Sequence, residues 1–224
     1  MFTGIIESVG HIASSSNGHQ GMKLTIASGG LDMHGVQLGD SIAVNGVCLT
    51  VTGFTNSDFS ADVSAESLRY TRFSKMSIGS RVNLEKALTL SKPLGGHLVS
   101  GHVDGLGSIV EISSEGESLR YTIACDHDLH RYIANKGSIT VDGVSLTVTG
   151  LVKGGFTLNI VPHTAENTII PEYKAGRQVH LEVDLMARYA ERLLQSDRSQ
   201  ADGTNKAQTS RLDKSFLLAN GYKI

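Results

Sequence analysis

"VNGVCLTVTG", Val44 to Gly53, returns as "VDGVSLTVTG", Val141 to Gly150, with only Asn45 changed to Asp142 and Cys48 to Ser145. Ten residues written twice in one chain mark an internal duplication. The same shift, Ser41 to Ser138, extends outward without a gap. Gly4 lands on Gly101, Ile12 on Ile109, Thr25 on Thr122, Phe59 on Phe156, Gly79 on Gly176, and Leu84-Glu85 on Leu181-Glu182. Two tandem modules follow, residues 1–97 and 98–186. Two copies are too few for a solenoid, whose core comes from stacking several units, so each module closes on itself.

Each module reads as short strands. Runs such as "KLTIA", "SIAVNG", "CLTVTGF" and "RVNLE" are rich in β-branched residues and are separated by Gly, Asn, Asp and Ser clusters. Asn45-Gly46 and Asp142-Gly143 suit the positive dihedrals of a type I′ turn, so each quoted stretch is a hairpin. An antiparallel barrel is the expected closure, because it leaves no exposed edge. The period of two sends Val47, Leu49 and Val51 to a core face and Cys48, Thr50 and Thr52 to the opposite one. Val144, Leu146 and Val148 divide in the same way from Ser145, Thr147 and Thr149. The small polar row lines a binding groove or simply meets water.

The chain has 224 residues, 40% of them hydrophobic, enough for one large or two small cores. Twenty basic against twenty-two acidic side chains give a net charge of -2, so no strong field draws the protein to nucleic acid or lipid. The start, "MFTGIIESVG", has no basic flank or apolar run of a secretory signal, and no run of apolar residues is long enough for a membrane span. A cytoplasmic protein with small-molecule partners is expected. Cys48 and Cys125 have no zinc-like or disulfide-framework spacing, and His97 and His102 fit no common ligand pattern, so no metal site is expected. After the second module, Leu185 or Met186, Tyr189 and Leu193 fall at helical spacing, which predicts a C-terminal helix around 187–195. Residues 196–224 open on a polar run that reads as a flexible tail and end on the more apolar "SFLLANGYKI".

"MFTGI", "NGVCLTV", "GGHLVSGHVDG", "DGVSLTV" and "VPHTAENT", in this order and with the duplication, resemble the riboflavin synthase alpha-chain family. The resemblance spans about residues 1–190. It implies an all-β fold of two six-stranded Greek-key barrels followed by a C-terminal helix, and a homotrimer around those helices. It implies dismutation of two molecules of 6,7-dimethyl-8-ribityllumazine, by four-carbon transfer, into riboflavin and 5-amino-6-ribitylamino-uracil, with no cofactor. A reaction between two identical molecules suits two copies of one binding module, since holding both in an attack geometry removes the entropic cost of their encounter.

The family's substrate contacts carry over to matching positions here. Around the N-terminal barrel they are Gly4, Ile5 and Ile6; Cys48, Leu49 and Thr50; Asp62, Val63, Ser64, Ala65, Glu66 and Ser67; and Gly101, His102 and Val103. Around the C-terminal barrel the shift gives Gly101 to Val103; Ser145, Leu146 and Thr147; and Asn159, Ile160, Val161, Pro162, His163 and Thr164. Lys136 matches a lysine that reaches a ligand across a subunit boundary. The resemblance also implies the chemical roles. His102 moves protons, Cys48 adds as a thiolate or positions an attacking hydroxide, Ser41 and Ser145 hydrogen-bond intermediates, Asp142 holds a charge or accepts a proton, and Phe2 packs on a ring. Where the family often has Glu-Thr, this chain has Glu66-Ser67, which keeps the hydroxyl and loses a methyl contact. The competing readings are a lumazine- or flavin-holding antenna protein, which uses the double barrel without turnover, and a flavin reductase barrel. No Gly-rich phosphate loop follows to support the latter.

Overall fold

A computed structural model describes residues 1–18 and 21–203, with side chains up to Gln195. The duplicated stretches are hairpins. In the first, β3 (Ser41–Val44) pairs with β4 (Val47–Phe54) in the register Ser41 to Thr50 and Ala43 to Cys48, across Asn45 (φ 48°) and Gly46 (φ 79°). In the second, β9 (Ser138–Val141) pairs with β10 (Val144–Val152) across Asp142 (φ 44°) and Gly143 (φ 82°). Positive φ at both central residues gives these two-residue turns the twist of the flanking strands.

With β1 (Ser8–Gly18), β2 (Gly21–Ala27), β5 (Asp58–Ser64) and β6 (Arg81–Lys86), the first hairpin closes a barrel in the order β1-β2-β5-β4-β3-β6. Its counterpart closes in the matching order with β7 (Gly105–Glu115), β8 (Ser118–Ala124), β11 (Gly155–Ile160) and β12 (Gln178–Val183). The two cores are built from equivalent residues. Ile12, Leu24, Ile26, Val51, Phe59 and Leu84 fill one; Ile109, Tyr121, Ile123, Val148, Phe156 and Leu181 fill the other. Short helices α1 (Ala65–Tyr70), α2 (His127–His130) and α3 (Pro162–Glu166) join strands.

The barrels meet along a polar seam that repeats the duplication hydrogen bond for hydrogen bond. Asn83 donates through Nδ2 to the Asp142 carbonyl (2.9 Å), and the Ile169 N–H donates to Asn83 Oδ1 (2.9 Å). In the equivalent place His180 Nδ1 contacts the Asn45 carbonyl (2.9 Å), and the Arg72 N–H donates to His180 Nε2 (2.9 Å). These partners fix the tautomer: Nε2 accepts, so Nδ1 carries the hydrogen and the ring is neutral. Burial pushes His180 below the usual histidine range, outweighing the pull of Asp142. A side chain at Gly46 would meet the Gly143 backbone nitrogen at 2.8 Å, so the two turns approach as closely as backbones allow.

The seam also explains why Asn45 and Asp142 differ. Asn45 Oδ1 accepts the Asn83 N–H and Asp142 Oδ1 accepts the His180 N–H, as the repeat requires. The second Asp142 oxygen accepts the Tyr173 hydroxyl (2.8 Å), and Met76 stands at the position that Tyr173 takes in the second repeat. Asn45 Nδ2 is correspondingly buried with no partner among the described residues. The carboxylate is therefore the tyrosine's acceptor, and burial beside it drives the Tyr173 hydroxyl well above its usual range.

Helix α4 spans Leu185–Gly203, beginning before the expected 187–195 and running into the expected tail. It starts early because Asp184 caps it, its Oδ1 accepting the Met186 N–H (2.9 Å). From Arg188 it belongs to a separate compact unit, and residues 204–224 of the expected tail lie outside the described residues. No helix among the described residues is long and apolar enough to cross a membrane.

Because His180 is neutral in the fold and ionises more readily when unfolded, its contribution is complete above about pH 6.5 and declines as the pH falls below that value. His180→Asn, which copies Asn83, should preserve stability at pH 8 and remove this component of acid sensitivity. His180→Ala, which orphans the Arg72 N–H and the Asn45 carbonyl, should cost roughly 2 kcal/mol or more. Urea unfolding at pH 8 and pH 5 measures both effects.

Candidate functional site

Two buried carboxylates organise the sites. Glu85, on β6, accepts the Thr3 N–H (2.7 Å), the Thr3 hydroxyl (2.7 Å) and the Gly4 N–H (2.9 Å). Glu182, on β12, accepts the same three donors from the second repeat: the Ser100 N–H (2.6 Å), the Ser100 hydroxyl (2.7 Å) and the Gly101 N–H (3.0 Å). Burial raises the Glu182 carboxyl against the pull of these donors. Each carboxylate thus holds a glycine of positive φ, Gly4 at 74° and Gly101 at 82°.

The held loops cross to the opposite barrel. The Cys48 N–H donates to the Gly101 carbonyl (2.8 Å), and the Ser145 N–H donates to the Gly4 carbonyl (2.8 Å). Val103 packs on the first core and Ile6 on the second. Gly4, Ile5 and Ile6 therefore belong to the C-terminal site, and Gly101, His102 and Val103 to the N-terminal one, which corrects the expected grouping of Gly4 to Ile6 with Cys48. Either glycine would clash if substituted, since a Cβ on Gly101 would lie 2.7 Å from Cys48 Cβ and one on Gly4 2.6 Å from Ser145 Cβ.

The N-terminal site is a pocket of about 260 Å³ lined by Val47, Cys48, Glu66, Ser67, Tyr70, Thr71 and the loop Gly101, His102 and Val103. It joins the two expected chemical groups, the Cys48 thiol and the His102 imidazole. At the other cysteine, Cys125, burial aided by Asp126 pushes the thiol up to about 11 and keeps it protonated. Ser67 lies on α1, where the capping Ser64 oxygen accepts its N–H (3.0 Å) and the two hydroxyls are 3.0 Å apart.

Around the C-terminal site, residues 95–97 run past Ser145. Its hydroxyl oxygen lies 2.7 Å from His97 Nδ1, and a Cβ on Gly96 would lie 2.8 Å from Ser145 Cβ. Burial lowers the His97 pKa, with Asp184 opposing. Thr147 is exposed on the same strand; Thr164, on α3, uses its carbonyl to accept the Thr168 hydroxyl (2.7 Å). Lys136 is exposed and has φ 65°, a strained conformation for a residue with a Cβ; its counterpart, Gly39, has φ 91°.

Other expected residues fall elsewhere. Leu49, Val63 and Ile160 point into the barrel cores, and Leu146 packs partly against one, so they offer backbone rather than side chains. Asp62, Val63 and Ser64 border a separate pocket of about 520 Å³ beside Lys23. Ser41 borders another, of about 410 Å³, with Glu7, Lys86 and Lys92. Phe2 is fully buried, bridging to Val99 and packing with Ala43 behind Cys48, so it supports the site rather than covering a ligand ring. Asp142 has no exposed surface and serves the seam, which removes it from the groups able to touch a ligand here. Asn159 begins the segment that continues through Val161, Pro162 and His163; the last three are exposed, whereas Asn159 Oδ1 is buried without a partner among the described residues.

Sequence reasoning misses His97, Tyr70, Thr71 and the two glutamates as parts of the sites. The signal for the glutamates is present in the repeated Leu84-Glu85 and Leu181-Glu182, an acidic residue kept on a core-packed strand. His97 and Ser145 are distant in sequence, and nothing local pairs them.

The lumazine binding domain model matches residues 3–87 and again 100–184. The riboflavin synthase of Photobacterium phosphoreum is 42% identical over 224 residues, covering all of both chains. That of Bacillus subtilis is 42% identical over 222 residues, covering 99% of this chain and 100% of its own. That of Saccharomyces cerevisiae is 38% identical over 227 residues, covering 95% of each. Among solved structures, LumP complexed with 6,7-dimethyl-8-(1'-D-ribityl) lumazine superposes with a TM-score of 0.74 at 23% identity, over 82% of this chain and 99% of its own. At that identity the likeness is one of fold.

Gly101→Ala should impair the N-terminal site, with roughly 1–2 kcal/mol lost to the left-handed backbone alone, and weaken lumazine binding measured by fluorescence. Lys136→Gly should raise the unfolding temperature by relieving its backbone while lowering turnover. A rise in both would detach the lysine from function.

Proposed function

Because the chain belongs to the riboflavin synthase family, with its two tandem lumazine-binding domains, we infer that it dismutates two molecules of 6,7-dimethyl-8-ribityllumazine into riboflavin and 5-amino-6-ribitylamino-uracil. The observation that carries this reading is the pair of equivalent sites, each completed by a loop from the other repeat. One molecule gives up a four-carbon unit and the other receives it. Together the two products contain the atoms of the two substrates, so the sum needs no oxidant or reductant.

The chemistry begins at the acidic methyl group on carbon 7 of one lumazine, whose C–H bond breaks to leave a delocalised anion. A nucleophile adds at carbon 7 of the other molecule. His102 and Cys48 share the N-terminal pocket, which supports the imidazole as proton carrier and the thiol, or a hydroxide that it positions, as the adding group. Glu66, Ser67 and the loop Gly101 to Val103 hold the ligand there. In the C-terminal site the ligand lies among Ser145, Thr147, Ile5 and the segment Asn159 to Thr164. The exposed apolar side chains of Ile5 and Val161 supply a surface for the ring system.

A homotrimer in the cytoplasm would set the N-terminal site of one subunit against the C-terminal site of its neighbour, with Lys136 reaching across. The exposed Met186, Tyr189, Leu193 and Leu194 of α4 support self-association through that helix.

Incubation with 6,7-dimethyl-8-ribityllumazine alone should consume two molecules per riboflavin formed, followed by absorbance. Tight binding with no riboflavin would make the protein a chromophore carrier. Cys48→Ala and His102→Gln should each lower kcat at least tenfold without lowering the unfolding temperature. Co-expression of His102→Gln with Ser145→Ala should restore part of the activity that each loses, because mixed assemblies contain one junction with both intact sites. No restoration would place the reacting pair within one chain.

A further inference from the structure

The two sites do not draw their imidazoles from equivalent places. His102 follows the loop that crosses onto Cys48, and its counterpart in the loop crossing onto Ser145 is Ile5. The imidazole that contacts Ser145 is instead His97, from the stretch joining the repeats, with Nδ1 2.7 Å from Ser145 Oγ. The backbone holds it there: the His97 N–H donates to the Thr3 carbonyl (3.2 Å), and Gly96 lies flat against Ser145, where a Cβ would sit 2.1 Å from the Thr3 carbonyl oxygen.

His97 Nε2 is buried with no hydrogen-bond partner among the described residues, and this decides the tautomer. A hydrogen on Nε2 would be a buried, unsatisfied donor, which proteins rarely tolerate; a bare ring lone pair is the lesser cost. Nδ1 therefore carries the hydrogen and donates it to Ser145 Oγ. With an oxygen lone pair so engaged, the serine O–H is free to act as a donor, polarised by the N–H behind it. Asp184 is the charged group acting on the ring, while the groups it contacts, Ser145 and Thr3, are neutral. Burial holds the imidazole below its usual range, so at neutral pH the ring is uncharged and the tautomer matters.

We propose that His97 is a positioning residue that makes Ser145 a dedicated hydrogen-bond donor to the anion of the bound heteroaromatic ligand, so that the molecule deprotonated in the reaction is the one in the C-terminal site. The inference rests on the dismutase reading. When the methyl C–H bond breaks, the proton passes to the His102 imidazole of the facing N-terminal site, the proton carrier of that reading, and the electron pair spreads onto the ring heteroatoms of the ligand. A donor fixed before the charge develops stabilises that state more than the neutral ligand. Cys48, the N-terminal counterpart of Ser145, is a weak donor and a better nucleophile, which suits the molecule that undergoes addition.

The test compares wild type with His97→Ala, His97→Asn, Ser145→Ala and the double variant His97→Ala/Ser145→Ala. Asparagine is the informative replacement, because Asn83 and His180 show its Nδ2 taking the place of a histidine Nδ1 in this fold. His97→Ala should lower kcat about tenfold or more with little change in KM. It should also raise, by about one unit, the pH at which bound lumazine takes on the absorbance of its anion. His97→Asn should restore both, and the double variant should be no worse than Ser145→Ala. Wild-type kcat and ligand titration in His97→Ala would overturn the proposal; so would His97→Asn failing as badly as His97→Ala although folded, or additive losses in the double variant. If the wild type itself forms no riboflavin, the dismutase reading fails instead.

Discussion

The hydrogen bonds that Asn83 and His180 make across the seam between the barrels set the distance on which both sites depend. Each side chain caps a carbonyl of the other repeat's turn and accepts a backbone N–H from the other repeat, so neither barrel satisfies its own polar groups alone. Unmade, these bonds would leave buried carbonyls and N–H groups without partners, an expense the fold avoids by docking its two halves in one register. With the register set, the loops held by Glu85 and Glu182 reach across and finish each other's sites. The sites are thus a property of the docked pair of repeats, which accounts for a fold with two small barrels rather than one larger one.

Duplication alone would make two equal sites, and a reaction that treats its two molecules differently needs them unequal. The differences are few and local. Cys48 faces a loop carrying His102, whereas Ser145 faces a loop carrying Ile5 and is backed by His97. Gly39 in one repeat is Lys136 in the other, at a left-handed backbone conformation that strains a lysine but not a glycine. The change from Asn45 to Asp142 is of another kind. It follows the appearance of Tyr173 at the Met76 position and concerns the packing of the seam.

Much of this architecture is legible in the amino-acid sequence. The hairpin turns follow from Asn-Gly and Asp-Gly, the barrel strands from alternating β-branched runs, and the separation of Val47, Leu49 and Val51 from Cys48 and Thr50 from the period of two. All of these depend on residues adjacent in the chain, where local sterics and burial decide the outcome. The family resemblance adds Cys48 and His102, which the fold brings into one pocket. Gly4 to Ile6 do not serve the nearer barrel, because a repeat shift aligns residues without saying which neighbour each one meets. Asp142 and Phe2 are buried by contacts distant in the chain, with Tyr173 and His180 and with Val99.

The sequence by itself determined the two-fold repetition, the strand pattern and the polar outward rows, since each is written in spacing and in the preferences of neighbouring residues. Only the tertiary structure decided the exchange of loops between barrels, the burial of Asp142 and the pairing of His97 with Ser145. Those depend on hydrogen bonds between groups dozens of residues apart, whose partners are chosen when the barrels close and dock and every buried donor must find an acceptor.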